Sequence, residues 1–141
     1  MTATTLTARP AAEPKRRAVL PLVARSALGL TFLVFGLNGF FQFLPMPPHD
    51  GAAGAFLGAL AATGYVFPLL KGVEVLAGAL LLSGRLVPLA LTLLAPVIVN
   101  IAAFHLFLEP NPVMVVFLLA AELYLAWTQR AAFRPLFQSR S

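Results

Sequence analysis

The sequence predicts an all-α membrane protein, with four membrane-spanning helices in one bundle and a short interfacial helix between the first and second spans. Of its 141 residues, 60% are hydrophobic and 11% are charged, and the mean hydropathy is +0.88. Soluble domains usually have about a quarter of their residues charged. Long apolar segments alternate with loops rich in proline or glycine. A water-soluble fold of this length could not bury so much apolar surface.

The first span follows a polar N-terminal arm. Residues 1–18 are rich in Thr, Ala and Pro and end in Lys15-Arg16-Arg17, a composition that predicts a disordered basic arm. The apolar segment that follows is too long for a cleaved secretory signal and indicates a retained span over residues 19–44. At ~1.5 Å per residue, such a helix reaches ~39 Å, enough to cross a bilayer with tilt.

A proline-rich loop and a short helix separate the first two spans. Residues 52–62 are rich in Ala, Gly and Leu and are too short to cross a bilayer, so we expect a helix in the interface. Thr63-Gly64 breaks this helix. The second span is predicted over residues 66–82, with Pro68 in its first turn, where the missing N–H costs little.

The third and fourth spans are predicted over residues 86–108 and 113–128, joined by the turn Glu109-Pro110-Asn111-Pro112. Pro96 lies inside the third span. The four spans form one bundle over residues 19–130, and residues 131–141 are predicted to be a basic cytoplasmic tail. Glycines of the first span, at positions 29, 36 and 39, would permit close helix contacts.

The charges predict the orientation. Nine of the ten basic residues, all except Lys71, lie in the N-terminal arm, near the start of the first span, in the Ser83–Arg85 turn or near the C-terminus. The two opposite loops contain Asp50 and Glu109 and no basic residue. The positive-inside rule therefore places both termini in the cytoplasm. Topology and anionic lipid headgroups account for the net charge of +5, so no nucleic-acid partner is expected.

Ionisable and amide side chains inside the spans are the candidate functional residues. Lys71 and Glu74 are ~60° apart on one helical face. Each costs on the order of 3 kcal/mol at the bilayer centre, so both should face protein. Counting residues from the helix ends places polar groups of four spans at overlapping depths. We predict one intramembrane polar site, with Lys71 between the two carboxylates, formed by Asn38, Lys71, Glu74, Asn100, His105 and Glu122.

Each of these residues also has a purely structural interpretation. Asn38 and Asn100 are residue types that form hydrogen bonds between helices in membranes. Lys71 and Glu74 could fix helix register as an ion pair. His105 is expected to be an interfacial histidine with a hydrogen-bond partner, because the other histidine, His49, lies in a loop and cannot supply a second intrahelical haem ligand.

Several chemistries are excluded. The chain has no cysteine, which rules out disulfides, thiolate metal sites and thiol redox chemistry. The sequence contains no phosphate-binding loop, nucleophile motif or metal-ligand spacing. We therefore predict no catalytic residue, no metal site and no covalently bound cofactor.

Three groups of residues resemble the DoxX family. They are Gly36-Leu37-Asn38-Gly39; residues 71–78 (KGVEVLAG) with Ser83-Gly84-Arg85; and Pro88 with Ala95-Pro96 through Asn100 and His105. The resemblance covers roughly residues 19–137. It implies a small four-helix protein of the bacterial cytoplasmic (inner) membrane, associated with redox or detoxification complexes. It implies no catalytic residue.

Two functions follow as hypotheses. In the first, the protein is an accessory subunit of a quinone-linked redox complex. The region of Asn38, Lys71, Asn100 and His105 would receive a quinone headgroup or pass protons, and Glu74 or Glu122 would supply protons. Its partners would be the lipid bilayer and redox-complex subunits. In the second, it is a non-enzymatic protein that binds or moves a small solute, or stabilises a partner complex.

Overall fold

The computed structural model describes residues 15–138, with side chains from residue 19 onward. This part of the chain is helical and contains no strand. Its helices are α1 (Lys15–Phe41), α2 (Gly51–Ala62), α3 (Val66–Ser83), α4 (Val87–Phe107), α5 (Pro112–Thr128) and α6 (Arg130–Phe133), followed by a 3₁₀ turn, Arg134–Phe137.

Three helices are long and apolar enough to cross a membrane, namely α1 from Val19 onward, α3 and α4. A fourth crossing results if α5 and the segment after it count as one span bent by 76°. The chain is therefore all-helical, with three to four candidate membrane-spanning helices.

Helix α1 differs from the prediction at both ends. It begins at Lys15, so four residues of the predicted arm are helical, and residues 1–14 lie outside the described part. It ends at Phe41, not at Leu44, because Gln42 adopts a left-handed conformation with φ of 50°. Three residues, 42–44, therefore separate the end of the helix from Pro45, the first proline of the loop.

The closest helix contact lies between α1 and α3. A Cβ added to Gly78 would lie 2.6 Å from the backbone N of Leu33 and 2.8 Å from the carbonyl O of Gly29. A Cβ on Gly36 would lie 2.9 Å from the backbone N of Val75. These glycines let the two backbones touch, as the sequence indicated for the first span.

The core lies where α1, α3, α4 and α5 meet. Each of these helices packs against two of the others, in the pairs α1–α3, α3–α4, α4–α5 and α1–α5. The fully buried large side chains come from all four helices: Leu28, Leu81, Leu91, Leu94, Ile98, Leu118 and Leu125.

Contacts between segments that are distant in sequence mark the two ends of the bundle. At one end the Arg25 guanidinium lies against Gly84, in the turn between α3 and α4. At the other end, His49 of the α1–α2 loop contacts Glu109 of the α4–α5 turn. The basic residues of α1 and of the α3–α4 turn therefore share one end, and the two acidic loops share the other.

The predicted break between the short helix and the second span is confirmed. Helix α2 ends at Ala62, and Gly64 has a left-handed φ of 73°. The Thr63 hydroxyl donates to the Leu60 carbonyl at 2.6 Å and accepts from the Val66 amide at 3.2 Å. These bonds satisfy backbone groups that the helix ends leave open.

The predicted C-terminal tail is helical up to Phe137. Residues 130–137 form α6 and the 3₁₀ turn, which bend away from α5. Phe133 packs against the core, whereas Leu136 and Phe137 are exposed. Exposed aromatic and aliphatic side chains beside Arg130 and Arg134 are typical of a segment in a membrane interface.

Candidate functional site

A cavity of about 430 Å³ occupies the half of the bundle opposite the termini. All five helices from α1 to α5 line it, together with the loop before α2. Its walls are mostly apolar and include five phenylalanines, Phe32, Phe35, Phe56, Phe67 and Phe104. This size lies within the range of small-molecule sites, which combine apolar walls with a few polar groups.

The Lys71–Glu74 pair supplies the charges of this cavity. Lys71 Nζ donates to Glu74 Oε2 at 2.8 Å. The Glu74 side chain is only 3% exposed and the Lys71 side chain 23%. The sequence-based expectation that both face the protein interior and bind each other is confirmed. The Glu74 carboxylate is too deeply buried for water to replace its bond to Lys71. The Lys71 ammonium has three N–H donors, so two remain available.

His105 and Asn100 of α4 line the same cavity. His105 Nδ1 lies 3.0 Å from the carbonyl O of Glu109. A carbonyl only accepts, so Nδ1 carries the proton, and in the neutral ring Nε2 is an acceptor. His105 thus has the hydrogen-bond partner that the sequence predicted. Asn100 makes no hydrogen bond within the described residues, and its amide is available to a ligand.

Asn38 holds the loop after α1 and not a neighbouring helix. Its Oδ1 accepts from the Leu44 amide at 2.6 Å, and its Nδ2 donates to the Leu44 carbonyl at 3.4 Å. Asn38 therefore makes these two bonds to the loop in place of the expected interhelical bond. We call this pair of bonds the Asn38 clamp. Asn38 lines a second cavity of about 490 Å³, which shares Lys71 with the first.

Glu122 lines neither of these two cavities. It lines a separate groove of about 610 Å³, formed by α4, α5 and the bent C-terminal segment. Its Oε2 is buried without a hydrogen-bond partner in the described part of the chain. The single network predicted from residue depth, with Lys71 between two carboxylates, is therefore wrong, because depth along a helix does not say which way a side chain points.

Two further polar residues belong to the cavity region. His49 lines the cavity, and its Nδ1 contacts Glu109 Oε2. The His49 ring also meets Phe104 edge-on, at 5.9 Å between centroids. Sequence reasoning set His49 aside as a haem ligand because it lies in a loop, and used Glu109 only to predict the orientation. The sequence did contain a signal for this contact. The charge pattern places both loops at the same end of the bundle, opposite the basic residues.

The arrangement combines a few polar groups with apolar walls. Lys71 and Asn100 are donors, His105 Nε2 is an acceptor, and aromatic and aliphatic side chains line the remaining walls. Within residues 15–138 there is no cluster of three or more His, Asp or Glu side chains that could hold a metal ion.

Comparisons with protein-family models, with curated proteins and with solved structures gave no match for this chain.

Proposed function

We propose that the protein is a DoxX-like accessory subunit of a quinone-linked redox complex in the bacterial inner membrane, and that the cavity receives a quinone headgroup. The supporting observation is the Lys71–Glu74 pair in an apolar, aromatic-lined cavity. Lys71 is a hydrogen-bond donor for a quinone carbonyl. His105 Nε2 is an acceptor suited to the hydroxyl of the reduced quinol.

Apolar walls with few polar groups fit this ligand class. A quinone ring is planar and carries two carbonyl oxygens, so aromatic side chains can stack on its faces while one or two donors fix its orientation. Lys71 still has donors to spare when it is bound to Glu74. Glu74 remains neutralised whether or not the ligand is present, so binding leaves no unpaired buried charge.

The test is binding of a short-chain benzoquinone to the purified protein in lipid nanodiscs, measured by equilibrium dialysis. We expect the double variant Lys71→Leu/Glu74→Leu to fold and to bind about 10- to 100-fold more weakly, the loss of a charge-assisted hydrogen bond. Glu122→Gln is the matched control, because Glu122 lines the separate groove, and it should bind like the wild type. Equal binding by the double variant would overturn the proposal.

The proposal includes four spans with both termini in the cytoplasm. Single cysteines at Asp50 and Asn111 should react in sealed cells with an impermeant thiol reagent added outside, whereas cysteines at Ser83 and Ser139 should not. The natural chain contains no cysteine, so each label reports one site. Labelling of Ser83→Cys from outside would contradict this orientation.

A small-solute binding or transport protein is the second candidate. The two cavities share Phe35, Met46, Phe67 and Lys71, so their volumes adjoin at the end of the bundle opposite the termini. Adjoining volumes beside a charged pair favour passage of a small polar solute. Altered solute uptake in the double variant Lys71→Leu/Glu74→Leu, which is expected to fold, with redox activity of the membrane unchanged, would favour this candidate.

A further inference from the structure

Helix α2 covers the cavity with one face. Its three large side chains, Phe56, Leu57 and Leu60, line the cavity, while its other face consists of exposed glycines and alanines. Ala53 alone among the α2 residues is buried. A segment that buries so little surface opens at a lower free energy than the long helices of the core.

Glycines in left-handed conformations flank α2. Gly51 has φ of 59° and Gly64 has φ of 73°. The Cβ position of each glycine has no neighbouring atom within 4 Å. Neither glycine is therefore packed on its Cβ side, and hinges of moving segments are a few such element-terminal positions.

A polar contact and two aromatic contacts help to attach this region to the rest of the bundle. His49, just before α2, binds the Glu109 carboxylate in the α4–α5 turn. His49 and Phe56 both pack on the ring of Phe104, at 5.9 and 6.0 Å between centroids. The Glu109 side chain is 46% exposed, so water competes for it and the attachment is weak enough to break.

We propose that α2 is a lid hinged at Gly51 and Gly64, that the His49–Glu109 pair holds in place the loop next to the Gly51 hinge, and that ligands reach the cavity by passing beneath α2. The ligand's identity rests on the proposed function, but the route does not. His49, His105, Lys71 and Glu74 all line the volume that the lid covers.

The test measures access to one cysteine inside the cavity. Thr31 lines the cavity and is half-buried, and its hydroxyl bonds only to the Ala27 carbonyl. In Thr31→Cys protein in nanodiscs, the reaction rate with a cationic methanethiosulfonate reagent reports lid opening. Adding Glu109→Gln should raise this rate about twofold to fivefold, the range expected for a half-exposed charged contact. Adding Asp50→Asn, the control for loss of a carboxylate next to His49, should leave the rate unchanged.

Three results would overturn the lid. They are an unchanged rate in the Glu109→Gln background, an equal rise with Asp50→Asn, and labelling of a core reporter, Leu94→Cys, in the Glu109→Gln background. The last would show loosening of the whole bundle, since Leu94 is fully buried away from the cavity. Quinone takes no part in these measurements, so absence of quinone binding would refute the proposed function and leave the lid standing.

Discussion

At the end of the bundle opposite the termini, Asn38 and Glu74 are buried with hydrogen-bond partners. In the groove near the C-terminal segment, Glu122 is buried while its Oε2 has none in the described part of the chain. The exposed fractions of the three residues are similar, at 7%, 2% and 8%. The residues differ in their partners: Asn38 binds a loop backbone, Glu74 binds an ammonium, and Glu122 Oε2 has no partner among residues 15–138.

The difference teaches that burial and charge alone do not define a site in this protein. A buried polar group with a partner stabilises modestly, whereas one without a partner costs about 1–3 kcal/mol. Glu74 is tied to the fold through Lys71, so removing either residue should be costly. Glu122 Oε2 makes no such bond in the described part of the chain, so removing Glu122 should cost little stability. Three substitutions test this contrast, from the largest expected effect to the smallest.

Lys71→Leu should have the largest effect. It leaves the Glu74 carboxylate, whose side chain is 3% exposed, without its partner. Loss of one member of a buried pair costs about 3–5 kcal/mol. We expect a large loss of folded protein, measured as the monodisperse fraction after detergent extraction. Glu74→Leu should behave similarly.

The double variant Lys71→Leu/Glu74→Leu is the control for that experiment. It should recover most of the folded fraction, because two apolar side chains suit a span better than one unpaired charge. Recovery of folding without recovery of ligand binding would separate the structural role of the pair from its functional one. Normal folding of both single variants would mean that the pair is hydrated, contrary to its burial.

Asn38→Leu should have an intermediate effect. It removes both hydrogen bonds to Leu44 and leaves that residue's amide and carbonyl without their partner. We expect a loss of about 1–3 kcal/mol, seen as a lower midpoint in thermal unfolding in detergent. Gln42→Ala, at an exposed position with no side-chain hydrogen bond in the described residues, is the control and should change the midpoint less. An equal midpoint in Asn38→Leu and wild type would show that the clamp contributes nothing to stability.

Glu122→Leu should have the smallest effect. No bond to Oε2 is lost, and an unpartnered polar atom is removed. The free energy of unfolding should therefore stay within about 0.5 kcal/mol of the wild type or increase, which is seen as an unchanged or higher thermal midpoint. A fall as large as that of Lys71→Leu would show that Glu122 has a partner in the membrane, such as another subunit.

Apolar length and proline or glycine breaks made the helices predictable. α3, α4 and α5 begin and end within one residue of the predicted bounds, because Pro68, Pro88 and Pro112 mark first turns and Gly84 a turn. The end of α1 was not predictable in this way. It depends on the Asn38 clamp and on the left-handed Gln42, neither of which changes the apolar pattern.

The candidate site was predictable only where residues are local. Lys71 and Glu74 are three residues apart on one helix, so helical geometry alone placed them together. The contact between His49 and Glu109 joins residues sixty positions apart, and it depends on how two loops meet.

By itself, the sequence determined an all-helical, apolar chain, the limits of its central helices and the Lys71–Glu74 pair, because composition and helical period act within a few turns. The tertiary structure decided the rest. It brought Asn100 and His105 to the cavity that Lys71 lines, turned Glu122 toward a separate groove, and placed α2 beside the cavity. These outcomes depend on the rotation of each helix about its axis. That rotation is set by close contacts such as Gly78 against Gly29 and Leu33, which no single helix's pattern contains.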